Sequence, residues 1–474
     1  MLTLTSSTSA SNAIERDCSG LARRDFLRVG ALTLGGLALP QLLAAQANGA
    51  ATGASYLRDK SVVMLFLSGG ASHIETFDPK LDVRSAQGSL TGDVATSIPG
   101  VRFGGTFPEL AKRAKQLAVV RSFTHPVADH VAAIRHVLSG GTVTAKDKES
   151  DGFSMGAAVA RLRGSNHPTN GFPTYGLITA DEVDGQYSNE RGRVQVGSKS
   201  GALGLTYAPF EPSGKSEIVK NLNLNIKADR LDDRRALLHS LDALKRNVDA
   251  NGSVVGLDKF EQQAFDLILG GAGKALDLRD EDPRWLKRYD TSDIKIGHKK
   301  FRESTLGHQM LLARHMCEAG AGFVTVHSAG WDMHADGNNP NIVKGMNMLG
   351  RSLDHAVSAF LDDLESRGLS DKVLLVITGD FGRTPKVNAR GGRDHWANLG
   401  TLAFAGGGLR LGQVIGQSDR TAGNPATEPV TLPNLFSTIL HTVFDVPQLR
   451  LRPGLPRDIT KFYEQTDPIP GLLV

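Results

Sequence analysis

GFVTVHSAGWDMHAD (Gly322 to Asp336) and VLLVITGDFGRTPKVNARGGRDHW (Val373 to Trp396) decide the fold. Each opens with an unbroken apolar run, the pattern of a strand buried on both faces of a sheet. Each then releases acids and imidazoles into a loop: Asp332 and His334 in one, Asp380, Asp394 and His395 in the other. Open α/β sheets place ligands just beyond the carboxyl ends of their strands. Carboxylates and imidazoles gathered there point to a metal-dependent hydrolase.

Working outward, SVVMLFLSGG (Ser61 to Gly70) reads as a first buried strand ending in a glycine turn. LAVVR (Leu117 to Arg121), Thr174 to Ile178 and TLAFAG (Thr401 to Gly406) read as further strands. Asp129 to Leu138, Ser154 to Leu162, Glu303 to Ala319 and Ile342 to Arg367 carry helical periodicity, and the chain closes on a helix capped by Thr431 with Pro433 in its first turn. Strands alternating with helices predict an α/β fold: a doubly wound, mainly parallel sheet flanked by helices. Charged helical patterns such as LDKFEQQAFDLILGGAGKAL predict an inserted helical segment at about 230–300.

The 474 residues are 40% hydrophobic and 22% charged, ordinary for a globular chain. A net charge of +4 without long basic runs, and 6% aromatic residues, offer no footprint for nucleic acid. Arg23-Arg24-Asp25-Phe26-Leu27, a weakly hydrophobic stretch and Ala45-Gln46-Ala47 resemble a twin-arginine (Tat) signal, which makes the Tat translocase a partner during export. The expected organisation is a signal peptide over 1–47 cleaved near Ala47, a linker over 48–60 and one α/β domain over 61–474. The mature chain is then periplasmic or secreted, has no membrane span, and keeps Cys317 as its single, structural cysteine.

Asp332 and His334 alternate by two, so in an extended loop both point the same way and can share an ion. His395 and Asp394 arrive together on a glycine turn, and Asp380 directly follows its strand. Arg383, three residues on, is a fork suited to a tetrahedral oxyanion. Ser122 and Thr124 lie between a strand and a helix, where a hydroxyl nucleophile would meet the positive end of the helix dipole. His130, and His73, Glu75 and Asp78 after the first strand, could reach the same crevice, the alternative being solvated or capping roles. Gly270 to Ala275 lacks the spacing of a phosphate loop, and no HExxH occurs.

LFLSGGASHIETFDPK, VRSFTHPVADHVAAIRHVLSGG, GWDMHAD, GDFGRTP and GRDHW, in this order, resemble the bacterial "domain of unknown function 1501" family across nearly the whole mature chain. That family is grouped with the alkaline phosphatase and sulfatase superfamily. The resemblance implies a doubly wound α/β fold, two metal sites and a Ser/Thr or modified Cys nucleophile. Asp332, His334 and His395 match one metal site. Asp380 matches the other, but Phe381 stands where a His is usual and Ser68 where an Asp is usual. The expectation is therefore one divalent ion (zinc, calcium or manganese) on Asp332, His334 and His395, with Asp380 or Asp394 completing the shell. Thr124 or Ser122 would attack, and Arg383 would supply a second positive charge. The expected function is an exported sulfate- or phosphate-ester hydrolase acting on a small-molecule or polysaccharide ester. The competing expectation is a catalytically silent binding or assembly protein that keeps the fold and one ion.

Overall fold

Seven strands form one sheet in the computed structural model, which describes residues 55–80, 87–143, 152–179, 183–212 and 275–474. The twin-arginine signal, most of the linker, and the expected helical segment up to residue 274 lie outside the described residues. The chain divides into two units, Leu57–Val446 with Gly454–Val474, and Met1–Tyr56 with Pro447–Pro453. In the second, the Arg452 guanidinium lies 4.5 Å from the Tyr56 ring centroid. The first carries the sheet.

In chain order the strands are β1 (Ser61–Leu67), β2 (Leu117–Val120), β3 (Tyr175–Thr179), β4 (Phe323–Ser328), β5 (Val373–Gly379), β6 (Leu402–Gly406) and β7 (Gln413–Ile415). Their spatial order is β7-β2-β6-β5-β1-β4-β3. Only β6 runs against its neighbours, pairing antiparallel with both β5 and β2. The principal helices are α1 (His130–Leu138), α2 (Met155–Arg163), α3 (Gly185–Gly197), α4 (Leu306–Glu318), α5 (Arg351–Ser366) and α6 (Leu432–Val443).

The unbroken apolar run of β1 follows from its place between β5 and β4, with helices over both faces. Val63, Leu65 and Leu67 pack into one core with Met310 and Leu311 of α4 and Leu353, Val357 and Phe360 of α5. Val62, Met64 and Phe66 point the other way and are equally buried. On that side Tyr175 stacks edge-on against Phe323 and abuts Gly156 of α2. Strand and helix bounds agree with the sequence reading within a few residues, and Thr431 caps α6 as expected; in the structure Asp129 and Ser154 cap α1 and α2.

Two local departures occur. The expected helix from Ile342 to Arg367 is interrupted by a π-turn over Met346–Gly350. The end of the expected helical segment is instead a short helix, Pro283–Tyr289, followed by a two-stranded ribbon pairing Lys295–Gly297 with Phe301–Glu303. Gly297 and the strand-like alternation of IKIGHKKFRE account for the ribbon. Among the described residues, no helix is long and apolar enough to cross a membrane.

Because β4, β1 and β5 are adjacent and parallel, their carboxyl ends deliver three loops to one place. Those loops carry Ser68–Gly70, Gly330–His334 and Asp380–Arg383. A fourth piece folds back over them: Gly382–Arg383 pairs antiparallel with His395–Trp396, making Arg383 and His395 cross-strand partners.

Candidate metal centre

Asp332 is the hub. Its Oδ1 lies 3.0 Å from His334 Nε2 and 3.4 Å from His395 Nε2, and those two nitrogens are 2.9 Å apart. Its Oδ2 lies 3.4 Å from His130 Nε2. The donors of His130, Asp332 and His395 all fall within 4.8 Å of one another.

Each imidazole is fixed from behind. His395 Nδ1 is 2.9 Å from Ala128 O, His334 Nδ1 is 3.1 Å from Asp394 Oδ1, and His130 Nδ1 is 2.6 Å from Asp380 Oδ2. All three partners only accept, so each Nδ1 carries the proton and, in the neutral ring, each Nε2 presents a bare lone pair. Three lone pairs and a carboxylate therefore converge with no imidazole hydrogen between them, the Arg383 guanidinium alone directing N–H groups at Asp332 Oδ1 and, at 3.4 Å, His334 Nε2; a cation suits this arrangement. A tetrahedral ion with bonds of about 2.0–2.1 Å sets neighbouring ligand atoms roughly 3.3 Å apart. The triangle of Asp332 Oδ1, His334 Nε2 and His395 Nε2 has edges of 2.9, 3.0 and 3.4 Å, so the donor set fits a divalent ion. Three protein ligands leave the fourth position open, as in catalytic sites.

The electrostatics agree. Burial pushes the Asp332 carboxyl up, but hydrogen bonds from His130, His334 and His395 and the charge of Arg383 outweigh it and hold the group below the usual carboxylate range. Burial pulls His130 down, yet the bonds to Asp332 and Asp380 raise it to about 9 in the ion-free protein. A divalent ion on Asp332 competes for that carboxylate and removes much of this support. His395 is lowered, chiefly by burial, which favours the neutral ligand form.

Arg383 does something other than expected. Its side chain is 0% exposed. It donates from Nε to Gly70 O at 2.8 Å, from Nη1 to Arg393 O at 3.0 Å, and from Nη2 to Gly69 O and, at 2.5 Å, to Asp332 Oδ1. Its remaining donor lies 3.4 Å from His334 Nε2. With its fork engaged, the guanidinium laces the β1 and β5 loops together and aims Asp332; no N–H is left for a substrate oxyanion. Gly69 makes this lacing feasible: its φ is +101° and a Cβ there would stand 2.5 Å from Asp332 N. Ala335, directly after His334, also has a left-handed φ of 61°, held by a bond from its N–H to Pro340 O.

The other expected residues divide. Asp394 backs His334, and Asp380 backs His130 while accepting from Gly69 N at 3.1 Å, so both stand behind the donors. Ser122 is fully buried, its Oγ 2.2 Å from where a Cβ on Gly416 would sit, away from the cluster. Thr124 Oγ1 points to Ala397 O at 3.4 Å. His73 is buried with Nε2 on Ala422 O, and Asp78 pairs with Lys80 and Arg121; neither joins the Asp332 group. Glu75 is fully buried and pairs with Arg393, which anchors the hairpin carrying His395. Phe381 stacks on His130 and His395 with centroids 4.8 and 4.6 Å away, occupying the side where a second ion's imidazole was expected.

Sequence reasoning missed Glu190 of α3. It accepts from Ser68 Oγ at 2.7 Å and Gly330 N at 2.8 Å, and Ser68 Oγ also lies 2.7 Å from His327 Nε2. Burial, with the charges of Asp380 and Asp332, pushes the Glu190 carboxyl up to about 8 against the pull of Ser68 and Gly330. Nothing in GQYSNERGRVQVG marks it. Gly152-Phe153-Ser154-Met155-Gly156 has nucleophile-elbow spacing, but Ser154 is buried and caps α2 by accepting from Ala157 N.

Fold and site together define the class: a doubly wound α/β protein with a candidate His/Asp metal centre beyond the carboxyl ends of its central strands. A family model, "Protein of unknown function (DUF1501)", matches residues 59–461, and the chain belongs to that family. Among solved structures, it is similar to PsFucS1 sulfatase from Pseudoalteromonas sp. (13% identity, 85% of this chain and 69% of that one, TM-score 0.34). It is also similar to alkaline phosphatase from the Antarctic bacterium TAB5 (10% identity, 83% and 98% covered, TM-score 0.30). A third likeness is to the phosphonate monoester hydrolase SpPMH from Silicibacter pomeroyi (10% identity, 86% and 77% covered, TM-score 0.36). No curated protein sequence matches it significantly.

Proposed function

We propose that the protein is an exported hydrolase of phosphate or sulfate esters that works with one divalent ion on Asp332, His334 and His395. One observation carries the reading: two imidazole Nε2 atoms face each other at 2.9 Å while both Nδ1 positions are tied to acceptors. A bound ion would act as a Lewis acid towards an ester oxygen. The chain's own residues set its surroundings. Asp394 and the Ala128 carbonyl hold the tautomers of His334 and His395, Arg383 fixes Asp332, and Phe381 keeps one wall apolar and dry. The arginine pair at Arg23-Arg24 supports export of the folded chain by the Tat route, which would place it in the periplasm or outside the cell.

Metal analysis of the purified mature protein tests the reading. About one divalent ion per chain is expected, lost in the double variant His334→Ala, His395→Ala. Unchanged occupancy in that variant, or no turnover across a panel of phosphate and sulfate esters with any divalent metal, sinks it. A second reading, a silent binding protein, is favoured by the full engagement of Arg383, which leaves no charged donor to meet a substrate anion. Tight binding of a polysaccharide or protein partner without turnover would select it.

A further inference from the structure

We infer that the protein binds inorganic phosphate, in its hydroxyl-bearing form, in a cavity separate from the metal centre; the inference goes beyond the hydrolase reading and requires no turnover. The cavity has about 430 Å³ of space between atoms, and its walls include Tyr187 of α3, Arg302, Thr305, Gln309 of α4 and His327 of β4. Asp332, His334 and His395 are not among them. Two walls carry polar atoms that the fold buries and leaves unanswered. Tyr187 is 3% exposed and His327 1%, yet among the described residues neither the Tyr187 hydroxyl nor His327 Nδ1 has a hydrogen-bond partner. Buried polar groups are nearly always paired, so two on one cavity point to an occupant. Gly330, at a φ of +96°, makes room for the phenol: a Cβ there would stand 2.2 Å from the Tyr187 hydroxyl oxygen.

The chemistry of the walls selects the occupant. Burial and the acids nearby push the Tyr187 phenol up to about 13, so it keeps its proton and donates. Arg302 brings a guanidinium, and at Thr305 and Leu306 the cavity meets the amino end of α4, the positive end of that helix. The two acids beside Tyr187 are already engaged. Asp184 accepts from the N–H groups of His298, Lys299 and Lys300, and Glu190 from Ser68 and Gly330. These donors call for an anion, and His327 adds the opposite demand. Glu190 Oε2 takes the single hydrogen of Ser68 Oγ, so the 2.7 Å contact between Ser68 Oγ and His327 Nε2 is filled by a hydrogen on the imidazole. Burial pulls His327 down to about 3, which keeps the ring neutral and leaves Nδ1 a bare acceptor. The occupant must therefore accept from Tyr187 and Arg302 and donate to His327. Phosphate keeps a hydroxyl near neutral pH and meets both demands; sulfate has no proton to give.

Titration calorimetry of the mature protein in chelator, at fixed ionic strength near neutral pH, with inorganic phosphate and with sulfate, tests this. The expected result is one saturable phosphate site per chain, with sulfate at least about tenfold weaker. Tyr187→Phe weakens phosphate at least about tenfold, and His327→Phe lowers phosphate to the affinity of sulfate. The double variant His334→Ala, His395→Ala keeps the wild-type affinity. Absence of saturable phosphate binding, sulfate bound as tightly as phosphate, undiminished affinity in Tyr187→Phe, or loss of the site in a folded double variant overturns the assignment. The preference of the wild type for phosphate over sulfate decides the matter even if a variant fails to fold. Chelator removes any divalent ion, so failure here leaves the hydrolase reading standing.

Discussion

Replacing His395 by Ala should change stability by an amount that depends on whether a divalent ion is present. In chelator the substitution removes a ring that packs on Phe381, His130 and His334 at centroid distances of 4.6, 4.3 and 4.6 Å, which costs packing. It also removes one of two nitrogens forced to 2.9 Å, which relieves repulsion or frees a trapped proton. These oppose each other, so the chelated variant should melt within about 2 °C of wild type, a net effect near 1 kcal/mol. With ion at a thousand times its dissociation constant, binding stabilises the wild type by about 4 kcal/mol. A specific unfolding entropy near 2.1 cal/mol/K per residue over the roughly 340 described residues gives about 0.7 kcal/mol/K, hence a rise in Tm of about 6 °C. His395→Ala keeps two of three ligands and should show less than about a third of that rise. Differential scanning calorimetry of both proteins in chelator and in excess zinc, manganese and calcium measures these values. Equal shifts in both proteins, or no shift in the wild type with any ion, would refute the reasoning.

Three further outcomes follow from the same geometry. Gly69→Ala places a Cβ 2.5 Å from Asp332 N at a φ of +101°, and should abolish ion binding in titration calorimetry; retained affinity would show that the β1 loop does not set Asp332. Arg383→Met leaves Asp332 and the Gly69 and Gly70 carbonyls without their donor, and should lower unfolding free energy by about 3–5 kcal/mol in denaturant titration, where a loss under about 1 kcal/mol would contradict the lacing role. Glu190 titrates near 8 when folded, above its ordinary value of 4.5, so its contribution to stability is fully present below about 4.5 and lost as pH rises through 8. Glu190→Gln should flatten that decline and leave the variant the more stable protein at pH 9; parallel stability curves from pH 5 to 9 would count against it.

The buried strands were legible because parallel interior strands must be apolar on both faces, so SVVMLFL, GFVTV and VLLVIT could hardly be anything else. The antiparallel direction of β6 was not, since TLAFAG carries no mark of strand sense. Asp332, His334 and His395 were readable as a group because two lie in one short motif and the third follows a glycine turn. His130 was undervalued because Asp380 and Asp332, which give it meaning, lie 250 and 202 residues away in sequence. Arg383 was misjudged for a related reason. Whether a guanidinium serves a ligand or the protein depends on nearby unsatisfied carbonyls, here Gly69, Gly70 and Arg393, and backbone demand leaves no trace in a motif.

The central position of β1 sets a timetable for biosynthesis. Val62 pairs with Phe323 and Ser61 with Val373, so the first strand waits for partners that emerge roughly 300 residues later. At about 5–20 residues per second, the ribosome leaves this apolar segment without its native neighbours for roughly 15–60 s. His395 follows later still. The nascent chain therefore carries β1 without its native neighbours until residue 373 has emerged, and any metal held by the finished pocket arrives only after His395 has been made.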